Sequence, residues 1–219
     1  MRVFSLHSHK KILVCLCFLF VILEQEMSFE QVIIYFGAPA LCGLKSANLL
    51  SVKEQQFSSE KIMQLNSQLA SLGKKIVSVI RPSSNILLFI YDEAMLYKAL
   101  CGKAQILYLM QKDYPVGKGL DAIVHELLVR MSCQVEFPHE VGLFLGYPLE
   151  DVISFERDGG RTSKYSGMWQ VYGDVEESRR KMQLYRQCSL ICSRYFNMGM
   201  EFSYISKNYK TISNGGNIV

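Results

Sequence analysis

Several features that mark well-known function classes are scarce or missing in the 219-residue sequence. One Trp, five Pro and 15 Gly exclude collagen-like and linker-like chains. Neither sign of charge dominates. The 24 Lys and Arg stand against 20 Asp and Glu, a formal net charge of +4. That charge gathers into no basic stripe, so no nucleic-acid partner is expected. The apolar run Ile12 to Leu23 has 12 residues, short of the ~20 that a membrane helix needs. Seven Cys at irregular spacing make no disulfide scaffold. The dinucleotide pattern Gly-x-Gly-x-x-Gly, the Walker spacing Gly-x-x-x-x-Gly-Lys and the hydrolase elbow Gly-x-Ser-x-Gly are all absent. What is present is core material: 49% of residues are hydrophobic, with 12 Tyr and 12 Phe. That is enough for one packed domain and excludes a disordered chain.

Residues 1–26 stand apart. Arg2, Lys10 and Lys11 followed by the apolar run describe a signal-like segment. Leu23-Glu24-Gln25-Glu26 supplies none of the small residues that a signal peptidase needs. Immediately after Met27, Ser28 and Gln31 form a capping box, a common helix opening. The segment 1–26 therefore reads as an upstream extension, residues 27–199 as a single domain and 200–219 as a C-terminal tail. Five Cys (42, 101, 133, 188 and 192) remain from Met27 onward. An odd number suits reduced thiols, so the expected location is cytoplasmic. If residues 1–26 are retained, the alternative is a secreted or membrane-tethered protein.

Periodicity gives a helix-rich α+β domain with a small sheet. A helix from Phe29 is expected to stop before Pro39, and a short strand lies at Leu49–Val52. A helix from Ser58 or Ser59 ends at Gly73, its left-handed terminator. Lys75–Arg81 and Asn85–Tyr91 read as a hairpin, the second strand buried on both faces. Helices follow at Glu93–Leu100, Ala104–Gln111 and Leu120–Met131, the first capped by Asp92. Pro138 and Pro148 each open a short helix, spanning roughly 138–145 and 148–156. Met168–Tyr172 reads as a strand, and Asp174 begins the longest helix, whose inward stripe includes Met182, Tyr185, Cys188 and Cys192.

Chemistry-bearing residues cluster in two places. His139-Glu140 has the start of a zinc-protease helix, but position 143 is Leu where the second His is required, so that reading fails. A pocket wall of His139, Glu140 and Tyr147 remains. The loop Gly43-Leu44-Lys45-Ser46-Ala47-Asn48 can set a cation and an amide beside an anionic group. Trp169 sits in the strand before the long helix. Cys188 and Cys192 share one helical face, with Cys133 and His139 as the sequence candidates to complete a zinc site. Buried thiols are more simply core residues, so no metal is expected there.

The stretch Phe137-Pro138-His139-Glu140 through Gly146-Tyr147-Pro148-Leu149-Glu150-Asp151 resembles an uncharacterised bacterial family, domain-of-unknown-function family 3793. Trp169-Gln170-Val171-Tyr172-Gly173-Asp174 and the Ala38-Pro39 to Asn48-Leu49 segment are similar to it as well. The resemblance runs from about Met27 to Met198 and implies a natural start at Met27. It implies no activity. The leading reading is therefore a cytoplasmic binding or regulatory domain without a catalytic motif, with Lys45, Asn48, His139, Glu140, Tyr147 and Trp169 as ligand-binding residues. The alternatives are a small-molecule enzyme using His139 and Glu140 as an acid/base pair, and an exported protein. Cofactor and partner are left unknown.

Overall fold

The computed structural model of the chain describes residues 27–81, 85–133 and 137–214. The proposed extension 1–26, the hairpin turn 82–84 and the extreme C-terminus 215–219 lie outside them. The order of elements is α1 (Phe29–Leu41), β1 (Ala47–Lys53), α2 (Ser59–Leu69), β2 (Lys74–Ile80), β3 (Asn85–Asp92), α3 (Glu93–Leu100), α4 (Lys103–Gln111) and α5 (Leu120–Cys133). Then follow α6 (Val141–Phe144), α7 (Leu149–Asp158), β4 (Tyr165–Ser166), β5 (Gln170–Val171), α8 (Val175–Asn197) and α9 (Phe202–Ser213). The fold is helix-rich α+β, as the periodicity implies.

The sheet has the order β1-β3-β2, antiparallel throughout. Its alternation explains the layering. Leu50 opposite Leu88, Val52 opposite Ile86 and Ile76 opposite Ile90 point to one face. There they pack with buried residues of α1, α2, α8 and α9. Leu49 and Val77 opposite Phe89, with Val79 opposite Leu87, point to the other. That face packs with α3 to α7. The central strand β3 is therefore covered on both sides, which its unbroken apolar run requires. A third, smaller cluster of Trp169, Val171, Met182 and Tyr185 joins the β4–β5 hairpin to α8.

Local capping follows the sequence. Ser28 and Gln31 form the capping box, Asp92 accepts from the Met95 amide and Asp174 from the Glu177 amide. Gly73 closes the turn after α2 at φ 64°.

Four expectations are corrected. The first helix passes through Pro39 and ends at Leu41. A proline in the last turn leaves carbonyl and amide partners to be replaced, and the following loop and strand supply them. The Ala40 amide donates to Asn48 Oδ1 (3.2 Å), while the Pro39 carbonyl accepts from the amides of Leu44 and Lys45. The helix expected at 138–145 shrinks to α6, leaving His139 in the preceding turn. The strand at Met168–Tyr172 contracts to two paired residues. Residues 202–213, expected in a tail, form α9, and Phe202, Ile205, Tyr209 and Ile212 of that helix enter the core. Among the described residues no helix is long and apolar enough to cross a membrane.

Candidate functional site

The lysine-bearing loop is fixed by what surrounds it. Pro39 holds its start, the Ser46 carbonyl accepts from the Asp92 amide, and the Ser46 hydroxyl donates to the Phe144 carbonyl at 2.7 Å. This last bond spans 98 residues and brings the loop against the proline-punctuated stretch. The contact falls at the end of that stretch, residues 144–147. Gly146 makes it possible. It has φ +77°, and a Cβ there would come within 2.7 Å of the Ser46 hydroxyl. Gly146→Ala is accordingly expected to lower stability by about 1–2 kcal/mol, combining left-handed strain with the lost Ser46 contact. A shift of the urea midpoint at unchanged slope measures it.

Lys45 is buried, at 6% exposure. Its Nζ lies 5.2 Å from the centre of the Tyr147 ring and 5.7 Å from that of Tyr185. Among the described residues no carboxylate forms an ion pair with it. Burial alone draws its pKa from 10.5 down to about 7, because the charged form is the one that loses hydration. Cation–π attraction to two rings offsets part of that cost.

Tyr147 is in turn stacked on Trp169, with centroids 4.7 Å apart and planes 20° apart. The indole is oriented by Asp151, which is 2% exposed in the first turn of α7. Asp151 Oδ2 accepts from Trp169 Nε1 at 2.8 Å. Its Oδ1 accepts from the amides of Tyr172 (2.8 Å) and Gly173 (2.9 Å). The Asp151 carboxylate therefore spends its lone pairs on N–H donors. The chain of contacts runs Asp151, Trp169, Tyr147, Lys45, with Tyr185 of α8 on the far side.

The other three proposed residues are elsewhere in this network or outside it. Asn48 braces α1 through Ala40. Glu140 is buried and accepts from Tyr114 Oη (3.1 Å) and Arg130 Nη1 (3.3 Å), with the Arg130 guanidinium over the Tyr114 ring at 4.2 Å. His139 packs edge-on against Phe155, centroids 5.4 Å apart. The structure thus brings together Lys45, Tyr147 and Trp169, and assigns Glu140 to an ion-paired cluster with Arg130.

Two members of the aromatic site escape sequence reasoning. Tyr185 is legible as an inward residue of α8, but nothing local pairs it with Lys45. Asp151 looks like an ordinary acidic residue of a first helical turn. The cysteines also regroup. Cys133 is exposed on α5, whereas Cys188 and Cys192 meet Cys42 from the end of α1. Hydrogen bonds from Cys192 and Cys42 pull the Cys188 thiol down, and the bond each makes to Cys188 pushes the partners up.

The family model described as Protein of unknown function (DUF3793) matches residues 33–206. The chain belongs to that family. The match takes in the Lys45 loop, the 137–151 stretch and both α8 cysteines. No curated protein and no solved structure matches the chain.

Proposed function

We propose that the domain is a cytoplasmic binding or regulatory module whose binding centre is the cluster of Lys45, Tyr147, Trp169 and Tyr185. The ligand class is a small anion. The single observation that carries this reading is the buried amine facing two aromatic rings with no acidic partner among the described residues. An anion supplies the counter-charge that the fold withholds, and its arrival drives proton uptake by an amine poised near neutrality. Tyr147 is the half-buried wall of the cluster, next to exposed Gly146, and so is the side from which a ligand enters. The odd set of five Cys from Met27 onward supports the cytoplasmic location.

An enzyme using His139 and Glu140 has less support. A catalytic acid or base must reach its substrate, whereas both Glu140 contacts above are made by Oε1, to a cation and a phenol within the core. Native mass spectrometry of the full chain purified from its own host tests the proposal. The expected result is a small anionic adduct that is lost in Lys45→Met prepared identically. Both proteins at their bare sequence masses would contradict it.

A further inference from the structure

The thiols at the junction of α1 and α8 make a separate site. Cys188 and Cys192 stand one turn apart on α8, and the end of α1 brings Cys42 up to them from 150 residues away. The Cys42 and Cys192 sulfurs are 3.4 Å apart, those of Cys188 and Cys192 3.9 Å, and all three lie within 4.8 Å of one another. Thiolates ~2.3 Å from one central ion have sulfurs separated by ~4 Å in a trigonal plane and slightly less in a tetrahedron. The observed spacing brackets both, so an ion fits with side-chain adjustment alone.

We infer that Cys42, Cys188 and Cys192 form a three-coordinate site for copper(I). The choice of metal follows from the donors. All three are soft sulfurs, which select copper(I), zinc or iron–sulfur clusters. A closed zinc site wants a fourth ligand, and no His, Asp or Glu among the described residues joins the group. The surroundings are the apolar core shared by α1, α8 and α9, with Cys188 and Cys192 at zero exposure. Such a dry pocket withholds the water that completes a zinc tetrahedron. Tyr209 of α9 reaches Cys188 and supplies a hydroxyl donor to a thiolate there. Binding releases thiol protons to solvent and leaves the oxidation state of the ion unchanged. Cys42, the most exposed of the three at 9%, is the entry point.

The experiment uses the full chain carrying Cys15→Ser, Cys17→Ser, Cys101→Ser and Cys133→Ser, which removes every other thiol. Under anaerobic reducing conditions this protein competes with a chromophoric chelator for copper(I), and native mass spectrometry gives the stoichiometry. One ion per chain is expected, with X-ray absorption showing three sulfur neighbours. Adding Cys188→Ser is expected to weaken binding by more than about 100-fold. Should that variant fold poorly, the absorption spectrum of the parent protein still decides. Uptake that vanishes with the four other thiols, nitrogen or oxygen neighbours at the ion, or tighter binding of zinc(II) by the same sulfurs would each overturn the assignment.

Discussion

Lys45→Met is expected to be more stable than the native chain at pH 7, with the advantage shrinking as the pH rises toward 10.5. The amine has a folded-state pKa near 7 and an ordinary value of 10.5 once the chain unfolds. Between those values the unfolded chain binds the extra proton, so native stability rises with pH through this window. Below pH 7 both states are protonated and the cost of burying the charge is fully present. A depression of that size corresponds to a cost on the order of 4 kcal/mol at neutral pH. The imperfect fit of a substituted side chain returns about 1–2 kcal/mol of it. Methionine matches the length of the stem without a charge, so a net gain of about 2 kcal/mol follows. Thermal or urea unfolding of the two proteins from pH 6 to 10.5 measures the gap. The Tyr185 phenol lies by the same amine and its pKa is pushed up by burial, which disfavours its charged form. A gap that stays constant with pH would mean that Lys45 is hydrated or paired.

Asp151→Ala is expected to produce the opposite effect on the same cluster. It strands three buried donors, the Trp169 indole and the amides of Tyr172 and Gly173. Each unsatisfied donor costs about 1–3 kcal/mol, so a loss of about 4 kcal/mol is expected even with partial relaxation. Asp151→Asn divides the effect. Its remaining oxygen can still serve the two backbone amides, whereas its NH2 group faces the indole N–H. The expected loss is about 2 kcal/mol, concentrated at the indole. Trp169 is the sole tryptophan, so its emission reports the change without a background. An unaltered spectrum in Asp151→Asn would show that the carboxylate does not orient the ring.

What could be read from the sequence is whatever depends on neighbours a few residues away. The Ser28–Gln31 box, the Asp92 and Asp174 caps and the Gly73 terminator are local hydrogen-bonding or backbone events. The β2–β3 pairing follows from two β-rich runs separated by a turn. Pro39 misleads because its rescue comes from Asn48, on the following strand. The last helix is missed by the sequence reading even though Phe202, Ile205, Tyr209 and Ile212 fall at helical spacing. Gly199 and the polar residues between them obscure it. In the site, the loop and the 144–147 corner meet through Ser46 and Phe144. Glu140 has a different partner because Arg130, on another helix, reaches it first. Such choices depend on packing between elements distant in the chain, as does the meeting of Cys42 with Cys188 and Cys192.

The most direct measurement is the titration of Lys45 itself, followed by NMR of the chain labelled at lysine carbons, with Lys45→Met assigning the resonance. The account predicts that the Lys45 resonance reports loss of its proton near pH 7. All lysines titrating in the ordinary range would contradict it and remove the reason for locating a ligand at this cluster.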